Sequence, residues 1–424
     1  MKSIILAAGK GTRMKSELPK VLHEIMTKPL LGYVIDSVKN LCEENIVIVG
    51  YKAEEVKKYV CTNYETAKIV LQKEQLGTGH AVASALSELN GYIGEVIILC
   101  GDTPLIKDST LKEMVKTHKN NNSDLTVMSA VVDNPTNYGR IIRNSDNSVN
   151  SIVEEKDATP EQKKINEINA GIYCFNWAKI SPFLSELKAN NAQNEYYLTD
   201  IVKKANENNL KTAVYVIKDD KEIYGINSRE NLAQAASILQ KNVNKKLMEN
   251  GVTIISPETT WISTDTEIGQ DTVIFPSCVI EGKNKIGKNC KIGPFAHIRG
   301  GVETEDFVKI GNFVELKKAK IKHNTNICHL TYIGDSEVGS DVNIGAGTIT
   351  ANYNALTKEK SKTVIENNVK IGSNSVLVAP VKIEEGANIG AGSVITKDIK
   401  PWTLAITRAP MRTLENWVKS KLGK

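Results

Sequence analysis

From Ile268 to Ile395 the chain sets an isoleucine, once a leucine, at a six-residue interval. The first run is Ile268, Ile274, Ile280, Ile286, Ile292 and Ile298; after an irregular middle come Ile365, Ile371, Leu377, Ile383, Ile389 and Ile395. A small or compact residue stands two positions earlier at Cys278, Cys290, Ala296, Val369, Ser375, Val381, Ala387 and Ser393, and a glycine often follows, as at Gly269, Gly287, Gly293, Gly372 and Gly390. Six is a multiple of the strand period of two and not of 3.6, so extended chain puts every one of these residues on one face. The glycines then mark corners. The pattern predicts a hexapeptide parallel β-helix of about seven three-sided coils. A run of hairpins would need Asn-Gly or Asp-Gly turns at shorter, uneven spacing, and the stretch has none. Burying each isoleucine contributes ~1.5–3 kcal/mol gross, most of it offset by ordering the chain.

The first half carries a different rhythm. Lys2 to Ala7 is a short apolar strand that runs into Ala8-Gly9-Lys10-Gly11-Thr12-Arg13-Met14. Strand patterns at 46–50, 67–71, 95–99 and 125–132 alternate with helix patterns at 30–41, 78–89 and 109–119. That alternation predicts a mostly parallel sheet covered by helices, with ligands at the carboxyl ends of its strands. Leu232, Ala236, Leu239, Val243 and Leu247 form a helical stripe ended by Gly251. The expected division is therefore a domain over 1–227, a linker helix over 228–250 and the β-helix over 251–424. Beyond Pro401 a basic tail carries Arg408, Arg412, Lys419, Lys421 and Lys424.

A chain of 424 residues is too long for one core, and 41% hydrophobic with 24% charged residues fits a globular protein. The net charge of +5 is too mild to indicate nucleic acid and suits small anionic substrates. Seven cysteines without a C-x-x-C pair read as reduced thiols in the cytoplasm. No apolar run is long enough to span a membrane.

The glycine-rich loop fits neither a Rossmann fingerprint, which needs glycine where Met14 stands, nor a Walker loop. Glycines after a strand let backbone N–H groups approach phosphate, and Arg13 and Lys20 add charge. Gly101-Asp102 closes an apolar strand, where an aspartate suits Mg²⁺. The loop with Pro19-Lys20 resembles the signature of sugar-1-phosphate nucleotidyltransferases, and Gln72-x-x-Gln75-Leu76-Gly77-Thr78-Gly79-His80-Ala81 resembles the base-binding segment of their uridylyltransferase branch. Tyr138-Gly139-Arg140, Val153-Glu154-x-Lys156-Asp157, Ile168-Asn169-x-Gly171, the run Asn194 to Asp200 and Gly225-x-Asn227 continue the match. Across its length the chain resembles the bifunctional bacterial enzymes of UDP-N-acetylglucosamine synthesis, which implies a Rossmann-like mixed sheet in the first domain. Those enzymes acetylate glucosamine-1-phosphate from acetyl-CoA, then transfer uridylyl from UTP to N-acetylglucosamine-1-phosphate. The resemblance implies that Leu6, Ala7, Ala8, Gly9, Arg13 and Lys20 meet the nucleotide. It places uracil on Gln72, Gln75, Gly77 and Thr78, the sugar on Gly139, Glu154 and Asn169, and Mg²⁺ on Asp102 and Asn227. Cys100 stands where some relatives have tyrosine.

The irregular middle of the hexads resembles the acetyltransferase half, through Gly311 to Lys318, His329 to Asp335 and Asn343 to Gly347. An ammonium cannot attack a thioester, so a base is needed, and His329 is the candidate because histidine most often fills that role. By the same resemblance Arg299, Lys317, Tyr332 and Asn343 bind the sugar phosphate. Ala346, Asn352, Tyr353, Ser373, Ala391 and Arg408 contact acetyl-CoA, and the assembly is a homotrimer with a left-handed coil. The chain departs from the resemblance in a first hexad run one to two coils short, in Gly300 after Arg299, and in a loop after Tyr353 that leaves either Lys358 or Lys360 as the loop lysine. Two rival readings are a nucleotidyltransferase with a purely structural β-helix and a non-catalytic scaffold like the translation exchange-factor subunits. Intact catalytic positions count against both.

Overall fold

The computed structural model describes residues 1–424, which form two compact units, 1–237 and 238–424. In the first, a sheet runs in the order Thr212–Val216, Leu125–Val131, Glu167–Asn176, Glu95–Cys100, Lys2–Ala7, Glu44–Val49 and Ala67–Leu71. All neighbours are parallel except Glu167–Asn176, which is antiparallel to both of its own. The sheet is thus mixed, as the resemblance implies, with one inserted antiparallel strand in the mostly parallel order the alternation predicts. Leu30–Val38 and Asp108–Asn120 are helical as expected, Ala53–Asn63 is a helix the pattern did not mark, and the helix expected over 78–89 stops at Ala83 and continues as turns. Lys2–Ala7 pairs with Glu44–Val49 on one side and Glu95–Cys100 on the other. Strand order reverses there, and a crevice opens beyond the carboxyl ends of such strands.

The helix Arg229–Glu249 belongs to both units by sequence, since the division at 237 falls inside it. Its buried positions in the second unit include polar ones. Gln240 Nε2 donates to the carbonyl of Thr260 at 2.8 Å, and Asn244 Nδ2 donates to those of Pro257 and Thr260, each at 2.9 Å. These amides satisfy a loop whose carbonyls have no ladder partner. Gly251, at φ +88°, ends the helix.

The second unit is a parallel β-helix. One face stacks nine strands from Thr253–Ile254 to Leu404–Ala405, a second stacks eight, and a third seven, so seven coils have all three sides. The last two faces merge because Glu315–Ile321 and Tyr332–Val338 run continuously round a corner. Val273, Lys291 and Lys309 stand 18 residues apart in register; Lys309, Asn326 and Asn343 stand 17 apart; Asn343 to Lys370 takes 27 because a loop leaves the stack. The hexad residues from Ile274 onward are buried against one another, and Ile268, at the open end, is half-buried.

Of the glycines after the isoleucines only Gly293, at φ +96°, has a positive φ; the others do not make the left-handed corner residues. Positive φ falls three positions after the isoleucine, at Asp271, Ser277, Asn289, Phe295, Asn368 and Asn374. The glycines stand where successive coils touch. A Cβ on Gly287 would lie 2.4 Å from the carbonyl oxygen of Glu305, and one on Gly311 only 1.9 Å from that of Cys328. No helix is long and apolar enough to cross a membrane. Gly311→Ala should therefore force neighbouring coils apart and destabilise the chain by ~1–3 kcal/mol, as overpacked cores do. Urea unfolding of the variant measures this, and an unchanged midpoint would show that the coils have slack.

Candidate active sites

The crevice at the strand ends consists of two joined clefts. One, of about 330 Å³, is lined by Ala8, Gly9, Lys20, Gln72, Gln75 and Thr78, among others. The other, of about 220 Å³, is lined by Gly139, Glu154, Asn169, Tyr173 and Thr199, among others. Leu6, Thr78, Cys100 and Asp102 line both, so Asp102 stands at the seam. Burial and the adjacent Asp102 push the Cys100 thiol up to about 12, which keeps it neutral. Cys100 is a wall of the crevice with no nucleophilic character.

The Lys20 ammonium sits between two oxygens that the sequence pairs as metal ligands. It hydrogen-bonds Asp102 Oδ2 and donates to Asn227 Oδ1 at 3.1 Å. A carboxylate and an amide oxygen converging on one cation form the donor set a hard divalent ion takes, so these residues fit Mg²⁺. Gly11 makes room for this arrangement. Its φ is +62°, and a Cβ there would lie 2.6 Å from Lys20 Cβ.

Gln72 is almost wholly buried; its Nε2 lies 3.2 Å from the Gly77 carbonyl and 3.1 Å from His80 Nδ1. Gln75 Nε2 donates to the Gln72 carbonyl at 3.1 Å. The loop 194–199 holds this segment in place. Gly79 N donates to the Tyr196 carbonyl at 2.8 Å, and Leu198 N donates to Thr78 Oγ1 at 3.1 Å. In the second cleft Thr199 donates to Glu154 Oε1 at 3.1 Å, and Asn169 Nδ2 donates to Tyr173 Oη at 2.8 Å. Two expected nucleotide residues stand apart. Ala7 points into the hydrophobic core, and Arg13 is exposed in the turn Thr12–Met14 and lines neither cleft.

On the β-helix, register carries His329 into line with other expected residues. His329 pairs with Asn312 in the coil before. The pairings Asn326↔Asn343, Asn343↔Lys370 and Lys370↔Asn388 continue that edge through Ala346, Ser373 and Ala391. Arg408 closes the edge by donating to the Ala391 carbonyl at 2.5 Å. His329 Nδ1 lies 2.9 Å from Asn312 Oδ1, and an amide oxygen can only accept, so Nδ1 carries the proton and Nε2 offers a lone pair. Asn312 was not singled out in the sequence, although its spacing of one coil from His329 is the signal that finds it.

Arg299 and Lys317 stack at the next corner. Glu315 meets Arg299 at 3.1 Å and Glu281 meets it at 3.8 Å. Arg299 first and Lys360 second lower the pKa of Lys317 by repulsion. Lys360 lies 3.7 Å from Asp335, whose Oδ2 also accepts from Asn352 Nδ2 at 2.5 Å. Lys360 is therefore the loop lysine that faces this corner, and Lys358 is exposed in the hairpin closed by the Tyr353–Lys360 bridge. Tyr332 lies on the strand between the two corners, and Asn343 is exposed on the adjacent face.

A crevice at the switch point of a mixed sheet, joined in one chain to a hexapeptide β-helix with an ordered histidine on its edge, defines a two-domain transferase. The family description "Nucleotidyl transferase" matches residues 2–254, and "Bacterial transferase hexapeptide (six repeats)" matches 265–300 and 362–397. The chain is 43% identical to "Bifunctional protein GlmU" of Trichlorobacter lovleyi over 454 positions, covering 99% of this chain and 98% of the relative. It is 45% identical to the protein of that name from Thermoanaerobacter pseudethanolicus over 456 positions, covering 100% and 98%. The chain belongs to the GlmU family of bifunctional enzymes, with a left-handed parallel β-helix as its second domain. An alignment 454 positions long against 424 residues leaves at least 30 positions to the relative alone.

Burial raises the pKa of Glu154 above the ordinary carboxylate range. A carboxyl with a raised folded pKa binds its proton more tightly in the folded chain, so its contribution to stability falls as pH rises from the unfolded value of ~4.3 through the folded one. Glu154→Gln removes that loss. Thermal melts should show the variant gaining on the parent at neutral pH, with the difference shrinking toward ~pH 4. A difference independent of pH would contradict burial as the cause.

Proposed function

We propose that the two sites act in sequence on one sugar phosphate, with the chain's residues dividing the work as follows. On the β-helix, Arg299, Lys317 and Lys360 hold the phosphate of glucosamine-1-phosphate. Their convergence is the observation that carries this reading, because mutual repulsion strong enough to lower a lysine pKa is relieved by an anion. Tyr332 and Asn343 orient the sugar. His329 Nε2 takes the proton from the sugar ammonium, with Asn312 fixing the tautomer, and the freed amine attacks the thioester of acetyl-CoA. Acetyl-CoA extends along the edge of Ala346, Ser373, Ala391 and Arg408, and Asn352 and Tyr353 border it. That catalytic constellation disfavours a purely structural β-helix.

In the first domain the cleft of Gly9, Lys20, Gln72, Gln75, Gly77 and Thr78 takes UTP, and the cleft of Gly139, Glu154 and Asn169 takes N-acetylglucosamine-1-phosphate. The sugar phosphate oxygen attacks the α-phosphorus and pyrophosphate leaves, so the protein's task is alignment and charge neutralisation. Asp102 and Asn227 would hold Mg²⁺, which when bound neutralises phosphate charge. Lys20 adds the chain's own positive charge at the seam. All seven cysteines are free, which supports a cytoplasmic setting.

The exposed apolar ladder beside the catalytic edge supports a homotrimer. Phe295 and Phe313 stack with centroids 5.1 Å apart, and Leu330, next to His329, continues the same corner. A neighbour that covers this ladder also reaches His329.

The deciding experiment supplies glucosamine-1-phosphate, acetyl-CoA and UTP, and identifies the products. Free thiol, pyrophosphate and UDP-N-acetylglucosamine should all form. Asp102→Asn should lose pyrophosphate release and keep acetyl transfer, and His329→Ala should do the reverse, with a loss of ~10²–10⁴-fold. A folded variant of either kind that loses both activities would contradict the two-site reading. The trimer has its own test in co-refolding His329→Ala with Arg408→Ala. If one chain's arginine serves another's histidine, random mixing restores ~one quarter of sites. Activity that stays at the mean of the two variants, with mixed trimers confirmed by mass, would assign both residues to the same chain.

A further inference from the structure

Outside both sites, one group of metal-ligating side chains stands together. Ligand atoms of Glu95, His118 and Cys174 all lie within 4.8 Å of one another. They come from three rigid elements. Glu95 opens the strand whose far end, Cys100, enters the catalytic crevice, so the cluster sits at the opposite end of the sheet. Cys174 lies on the inserted antiparallel strand, between Ile97 on one side and Thr126 on the other. His118 projects from the helix Asp108–Asn120 and is only 1% exposed; Cys174 is fully buried. His118 Nε2 stands 2.9 Å from Glu95 Oε2, and its Nδ1 stands 2.7 Å from Thr126 Oγ1.

We propose that Glu95, His118 and Cys174 form a binding site for a borderline-soft divalent cation of the zinc type, distinct from the oxygen-only pair Asp102 and Asn227. The donor set is mixed nitrogen, sulfur and oxygen, which Zn²⁺ accepts and Mg²⁺ does not favour. Its charges balance as well. One carboxylate, one thiolate and one neutral imidazole cancel a double positive charge, so the buried site holds no net charge. Thr126 supplies the outer support that metal-bound histidines usually have, by accepting from Nδ1–H and turning the Nε2 lone pair to the metal. The Glu95 side chain keeps 22% of its exposure, which gives an entry path and room for water as a fourth ligand.

Binding is an exchange of a proton for a metal. The Cys174 S–H bond breaks, a sulfur–metal bond forms, and the proton leaves to solvent. Imidazole keeps its single proton, now on Nδ1. The hydrogen bond from His118 to Glu95 gives way to two bonds to the same ion. The ion ties the helix to the central strand and to the inserted strand at once, and so stabilises the junction where the sheet departs from parallel order.

The test uses the full chain, freed of metal by a chelator and titrated with Co²⁺. A thiolate-to-cobalt charge-transfer band should rise to a plateau at one ion per chain, be displaced by Zn²⁺ and resist excess Mg²⁺. Asp102→Asn should leave the band unchanged, because Asp102 offers an oxygen ligand at the other end of the sheet from Cys174. Cys174→Ser should abolish it. Glu95→Gln, at the open edge and with its fold checked by circular dichroism, should weaken cobalt affinity at least ~10-fold and decides the matter should the serine variant not fold. No band at stoichiometric cobalt, or a band that persists at full affinity in either ligand variant, overturns the site.

Discussion

Parallel register between coils is the constraint on which the second domain depends. Backbone N–H groups of one coil's strands find carbonyls of the next, and most coils keep that ladder with 17 or 18 residues between paired positions, the longer step of 27 being taken up by a loop outside the stack. Once register is fixed, residues one coil apart in sequence become neighbours in space. Asn312 meets His329 for this reason, and so does Arg299 meet Lys317. The glycines serve the same constraint at the corners, where Gly311 and Gly287 let carbonyl groups of the next coil approach closer than any side chain permits. The chemistry on the surface is thus set by what the interior isoleucines demand.

The first domain uses a different device to the same end. Its ligand residues come from distant segments, and the sheet brings their ends together at one reversal of strand order. The result is two clefts with a shared wall instead of one large pocket. A reaction between two anions needs both held at once and in line, and the seam at Asp102 and Lys20 is where their charges would otherwise repel.

The hexad period made the β-helix legible, because a period of six admits only one regular structure and the isoleucines are buried as that structure requires. The alternation of strands and helices made most of the sheet legible too. The inserted strand Glu167–Asn176 was not, since direction within a sheet leaves no mark on a strand's own residues. Corner conformation also escaped. Asparagine and aspartate, which tolerate the left-handed region locally, and even Phe295, whose ring stacks on Phe313, hold left-handed positions three residues past the isoleucines. Lys360 could not be told from Lys358 until the hairpin at Tyr353 showed which one turns toward Asp335. Asn312 was visible as a letter but not as a partner, because only the 17-residue coil makes it one.

The stacked coils have a further consequence, for how such a chain can vary in length. Each coil contacts only the one before and the one after, so the architecture is a column of interchangeable storeys. Removing a whole storey restores the same ladder between new neighbours, while removing a single residue turns a strand's interior side chains outward. Deletions near multiples of 18 residues are accordingly silent at a distance. A chain that lacks at least 30 positions of its relative can thus keep intact the floor that carries His329.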